Sequence, residues 1–388
     1  MIGMAASSTD LPQATAGELA VLNLQSSLQR AWEVLRRWPD RPGTVERILE
    51  EERLRAQFLG DVTTLDRLAS LASEQCRSRP ESASTHLVAA QVASILHRFT
   101  DAKAHLADAE ARGAPVAHAR RALLAIKQAL GEDLSKVLVA RRQMAAASAG
   151  LQDLVSLGAL LAELGEFEEA ERSYAKALQQ YRDVSPFAFA WLCFQLGLLW
   201  GEIVPGTQLG RAANWYERAI QYLPGYTRAR VHLAEIYLSR GDLEGAEALL
   251  APVVGSGDPE VIWRLAQVME GQARLGEAEV QRNAARSAFE NLLAKHALAF
   301  ADHAAEFYLS SGGDPKRACD LAQLNLANRP TLRAFELAYV AAIRSGEEGF
   351  ASELLPRART KFASTNGFAH SLLARPTSSP VPRGNGRD

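Results

Sequence analysis

LVSLGALLAELGEFEEAERSYAKALQQYRDVSP, residues 154–186, reads as two amphipathic helices joined at a glycine. Leu157, Gly158 and Leu161 share a face of the first helix, and Ala170, Tyr174 and Ala177 share a face of the second. Spacings of three and four residues place side chains on one helical stripe. Gly165-Glu166 stands between the helices and Pro186 ends the unit. The same order returns as Leu196-Gly197, Trp200, Ala212, Tyr216, Ala219 and Pro224. It returns again as Leu233-Ala234, Tyr237, Ala246, Leu250, Val253 and Asp258-Pro259.

Gly158, Gly197 and Ala234 lie midway along the first helix of each unit. Glycine there costs about 1 kcal/mol of helix propensity relative to alanine. A chain keeps that cost where a neighbouring helix must come close. Ala170, Ala212 and Ala246 have the matching small role near the start of the second helix, and Tyr174, Tyr216 and Leu250 are the large residues expected to fill the space between pairs. Each pair then leaves an apolar face that only the next pair can cover. Gly165-Glu166, Gly241-Asp242 and Gly276-Glu277 are expected where first helices end, as glycine C-caps, and Pro186, Pro224 and Pro259 break the second helices.

This recurrence resembles the tetratricopeptide repeat. The resemblance implies an all-α fold, a right-handed α-solenoid of about eight or nine helix-turn-helix pairs. It covers 151–259 well and 45–150 and 260–362 in degenerate form. Residues 16–39 carry Leu19, Leu22, Leu24, Leu28, Trp32 and Leu35 before Pro39, which suits an N-terminal capping helix. Residues 1–15 and 374–388 are rich in small and polar residues and are expected as disordered tails.

Composition narrows the function. Charged residues are 23% of the chain and nearly balanced, for a formal net charge of −2, which argues against a nucleic-acid partner. Cys76, Cys193 and Cys319 are far apart and form no metal or redox spacing. Neither a leader-like segment nor a span of roughly 20 apolar residues stands out, so cytoplasmic residence without membrane insertion is expected.

Chemistry is hard to find. Gly255-Ser256-Gly257-Asp258 and Gly312-Gly313-Asp314-Pro315 lack the lysine-serine pair of a phosphate loop and read as turns. His296 and His303, near Asp302 and Glu306, are the nearest pair for joint action, but a turn at Lys295-His296-Ala297 is expected to separate them. His86, His97, His105 and His118 read as scattered helix-surface positions. Glu166 to Glu169 opens a helix, where acids suit the dipole. The expectation is no enzyme, no cofactor and no metal.

Proteins of the resembled family hold peptides or partner segments in a concave groove lined by first helices. Carried onto this sequence, that register points to Trp191, Phe194, Arg228, Val231, Glu235, Trp263 and Gln267. In this reading Trp191 and Trp263 anchor an apolar side chain and Arg228 pairs with a carboxylate. A chaperone-tail clamp is disfavoured, because Gln152, Ser156, Ala159, Trp191 and Phe194 occupy positions that would carry its polar set. The expected role is a non-catalytic adaptor or scaffold binding a protein or peptide. The alternative is an accessory subunit or ligand-sensing regulator that supports a partner enzyme in a biosynthetic pathway.

Overall fold

A computed structural model describes residues 12–148 and 150–374. Most of both expected tails lies outside that range. Residues 12–15 are described and are fixed: Thr15 N donates to Val184 O at 2.8 Å, and the Tyr222 hydroxyl donates to Pro12 O at 3.2 Å.

The described residues contain helices and no strand. In order they are α1 Gly17–Arg37, α2 Thr44–Leu59, α3 Thr64–Ser78, α4 Ala83–Ile95, α5 Phe99–Ala111, α6 Val116–Ala129 and α7 Leu134–Ser148. The central set is α8 Leu151–Leu164, α9 Phe167–Gln180, α10 Pro186–Leu198, α11 Leu209–Tyr222, α12 Thr227–Arg240 and α13 Leu243–Leu250. The last are α14 Pro259–Gly271, α15 Leu275–Leu309, α16 Pro315–Asn328, α17 Leu332–Ser345, α18 Glu348–Phe362 and α19 Asn366–His370. Helix α15 bends sharply at His296, where φ is −138° and ψ is 47°. With its two arms counted separately, α2 to α18 form nine stacked hairpins among the described residues. Helix α1 lies at the open N-terminal end.

The tyrosines expected between pairs instead face the small residue of their own hairpin. A Cβ on Gly158 would lie 2.7 Å from the Tyr174 ring, and one on Gly197 would overlap the Tyr216 ring. Tyr174 and Tyr216 are both almost wholly buried. Gly165 and Gly241 are left-handed C-caps at φ 85° and 77°. Gly276 is not. It falls in the first turn of α15, and the preceding turn is made by Ala273 at φ 60°.

The insertion after α10 forms a π-helical turn, Leu199–Ile203. Residues 186–203 are long and apolar enough to cross a membrane by composition, with mean hydropathy 1.3. That is more apolar than the sequence pattern suggested. Here the segment is the middle of the largest core: Phe189, Leu192, Cys193 and Leu199 are fully covered.

The row of hairpins curls until its early part meets its later part. Phe58 at the end of α2 packs on Tyr226 and Phe187, with ring centroids 4.7 and 5.2 Å apart. Asp66 of α3 receives Lys295 Nζ at 2.7 Å and His296 Nε2 at 2.9 Å. His97 Nδ1 meets Leu298 O at 3.2 Å, and Asn328 Nδ2 donates to His97 O at 2.9 Å. Lys361 Nζ donates to Leu130 O at 3.3 Å, and Asn366 Nδ2 to Glu166 Oε1 at 3.1 Å. A Cβ on Gly367 would lie 2.7 Å from Glu163 O, so backbones approach closely at this last point. These contacts form one seam between sequence-distant hairpins.

Two glycine substitutions separate the packing role from the propensity role. Gly197→Ala should lower stability by roughly 1–3 kcal/mol, because the overlap with Tyr216 outweighs the helix gain. A Cβ on Gly349 in α18 would meet nothing within 4 Å. Gly349→Ala should therefore raise stability, by up to about 1 kcal/mol. Urea midpoints of the two variants check this; a neutral or stabilising Gly197→Ala would contradict it.

Candidate interaction cavity

Where the curl closes, it shapes a cavity of about 520 Å³ that stays partly open to solvent. One wall comes from first helices: Arg228, His232 and Glu235 of α12, Glu260 and Arg264 of α14, Asp302, His303 and Glu306 of the second arm of α15, and Arg333 of α17. Residues at i, i+4 and i+7 share a helical face, which is how Arg228, His232 and Glu235 come to point the same way. The π turn adds Glu202. The opposite wall comes from the N-terminal hairpins, through Ala56, Gly60, Val62, Leu65, Ile95 and His97. The concave face is therefore roofed by the chain's own first hairpins.

The wall groups are heavily paired. His232 Nδ1 meets Glu202 at 2.6 Å and Glu235 at 3.4 Å. Arg264 pairs with Glu235, and His303 pairs with Glu260. Arg329 reaches Asp302 at 3.5 Å. Arg333 bridges Glu306 at 3.1 Å and Glu202 at 3.6 Å. Arg228 differs. Among the described residues, it is the cavity arginine with no carboxylate within 4.0 Å, and its guanidinium lies 5.7 Å from the centre of the Phe194 ring.

Burial alone would strip charge from these groups, but their partners win. Burial lowers the His232 pKa, yet Glu202 and Glu235 raise it to about 10. Burial opposes charge on His303 too, and Asp302 with Glu260 lifts it to about 9. Burial raises Glu202, but the His232 charge brings it down to about 2. Asp258 goes the other way: burial and the neighbouring Glu260 push it up to about 6. His97 is held down to about 4, by burial first and by Arg329 second.

The expected binding residues separate. Arg228 and Glu235 line the cavity. Phe194 is 2% exposed, between Tyr216 and Tyr226. Val231 is fully buried with Ala234, Ala246 and Leu250. Trp263, expected at the groove surface, is 3% exposed; its Nε1 donates to Ser311 Oγ at 3.0 Å and its ring packs on Phe307. Trp191 is partly buried against the largest core, and Gln267 accepts from Arg264 Nη1 at 2.9 Å. The reason is helix phase. At 100° per residue, a shift of one position exchanges Val231 for His232 and Trp263 for Arg264. Following charge at a period of 3.6, rather than the large apolar residues, would have found them.

His296 and His303 do not act together. The helix bends at His296 without a loop, sending His296 to the seam and His303 to the cavity. His86 and His105, expected as scattered surface groups, face each other with ring centroids 5.8 Å apart.

The raised histidines set a pH dependence. A group whose pKa is raised on folding stabilises fully below its unfolded value and loses that contribution as pH rises through the folded value. For His232 that window runs from 6.5 to about 10. Glu202 acts oppositely, losing its contribution as pH falls from 4.5 to about 2. Urea midpoints should drop between pH 6.5 and 10, and His232→Gln should shallow that drop. Parallel profiles for the two proteins would contradict the assignment.

Residues 207–267, spanning α11 to α14, match the tetratricopeptide repeat family. No curated protein matches the chain. Among solved structures it is similar to the Cut9–Hcn1 hetero-tetramer of the APC/C, at 14% identity and TM-score 0.34 over 82% of this chain and 52% of that one. It thus spans about half the length of that relative. Yeast Tom70 is similar at 12% identity and TM-score 0.34, over 89% of this chain and 83% of that one. The human IFIT1 dimer with PPP-AAAA is similar at 16% identity and TM-score 0.39, over 88% and 69%. Likeness at this level says nothing about a partner. The match over 207–267 marks that segment as tetratricopeptide repeat, and helix hairpins of similar build flank it on both sides.

Proposed function

We propose that the protein is a non-catalytic binding scaffold, acting in the cytoplasm, that captures a carboxylate-bearing end of a peptide or partner protein in its concave cavity. The observation that carries this is Arg228. The other arginines of the wall, Arg264, Arg329 and Arg333, meet carboxylates, while the Arg228 guanidinium faces the cavity without one. Burial disfavours its charge, but Glu260 and more distant acids keep it raised, so it stays cationic. A guanidinium receives a carboxylate through two parallel hydrogen bonds. Asp258, which caps α14 through Glu260 N at 3.0 Å, supplies an acidic group beside it for an amine or amide of the same ligand.

The cavity's size favours a second reading. A volume of about 520 Å³ lies within the range of small-ligand pockets. In that reading the scaffold senses a small zwitterion and passes its occupancy to a partner.

Binding of short peptides with free or amidated C-termini, read by tryptophan fluorescence, tests both. Free carboxylates should bind, and amidation or Arg228→Met should each weaken binding by roughly tenfold or more. Equal binding of amidated peptides, with no effect of Arg228→Met, would remove the site. A response to free amino acids but not to peptides would select the sensor.

A further inference from the structure

Away from the cavity, α4 and α5 bring three donor groups together: His86 on α4, and His105 and Asp108 on α5. One donor atom of each lies within 4.8 Å of the other two. His86 Nδ1 is 3.8 Å from Asp108 Oδ2. His86 itself is 8% exposed.

The hydrogen bonding around these groups is specific. His86 Nε2 lies 2.8 Å from Pro80 O. A carbonyl only accepts, so Nε2 carries the proton, and in the neutral ring Nδ1 is a bare lone pair. That Nδ1 is buried with no hydrogen-bond partner, and His105 Nδ1 is buried without one as well. Asp108 Oδ1 accepts from Arg112 Nη1 at 3.1 Å, which leaves Oδ2 turned to the imidazoles. Two unpartnered ring nitrogens and a carboxylate oxygen therefore converge with nothing donating to them.

We propose that His86, His105 and Asp108 form a binding site for a divalent transition cation of the zinc type. Two imidazoles and a carboxylate are a common zinc ligand set, and they leave a fourth position open to water. Ligand atoms around tetrahedral zinc stand about 3.4 Å apart, from bond lengths near 2.1 Å, so side-chain rotations close the site on the ion. Pro80 O and Arg112 act as the outer partners that fix His86 and Asp108. Arg112 also meets Glu81 at 3.6 Å, which offsets its charge beside the cation. The Asp108 side chain is 50% exposed and gives the ion a way in. A cation here would pin α4 to α5, a hairpin that itself helps roof the cavity through Ile95 and His97.

The test uses the full chain, free of any affinity tag and stripped with chelator, titrated with zinc chloride alone against a competing chromophoric chelator. One zinc should bind per chain and raise the thermal midpoint. Asp108→Asn and His105→Gln should each weaken binding by roughly tenfold or more. Glu235→Gln, at the other His/Glu cluster, should bind as wild type does. Asp108→Asn changes an exposed group and should keep the native helical circular dichroism, which separates lost ligation from lost folding. No stoichiometric zinc, or equal affinity in the Asp108 and His105 variants, would overturn the site. So would loss of binding in Glu235→Gln alone.

Discussion

The constraint beneath the whole structure is that no hairpin can cover its own apolar face. Stacking solves this for each neighbour in turn, and the curvature it produces brings the ends of the row together. Phe58 marks the outcome: it is 2% exposed because Tyr226 and Phe187, from the middle of the chain, cover it. Leu24 of α1 joins the same core. Closure narrows the groove to a partly open chamber, and the lining of that chamber follows from which helix faces remain once packing is satisfied.

Those faces are charged. Close pairing favours charge on such a face, and His232, Arg264, His303 and Arg333 each meet an acid. Buried ion pairs are a weak source of stability, since desolvation offsets much of the attraction. Their stronger effect is to hold every donor and acceptor in one arrangement. Against that background Arg228 stands out as the wall arginine without a directly paired carboxylate, held charged by the wider field of Glu260, Asp258 and Glu202.

The hairpins were legible in the sequence because they are built from contacts a few residues apart, and periodicity reports such contacts directly. Gly158 and Gly197 are closely approached by a neighbouring helix, as a mid-helix glycine implies, and it is the tyrosine of the same hairpin that does so. The seam was not legible. Asp66 with Lys295, His97 with Leu298 and Gly367 with Glu163 join residues whose separation follows no repeat. The site was half legible: Arg228 and Glu235 do face the concavity, since polar residues on a first helix have few other places to go. Trp263 and Val231 misled because large apolar side chains were assigned to a partner that the next hairpin supplies instead.

Zero-length carbodiimide coupling tests closure most directly. Lys295 and Asp66 are both exposed, and their charged atoms stand 2.7 Å apart across the seam. In dilute monomeric protein, mass spectrometry should find the peptides carrying Asp66 and Lys295 joined within one chain. The local pair Lys136 and Asp133, 3.7 Å apart at the start of α7, reports that the reagent worked. Coupling at the local pair with none between Lys295 and Asp66 would mean an open row, and would contradict the cavity and everything drawn from it.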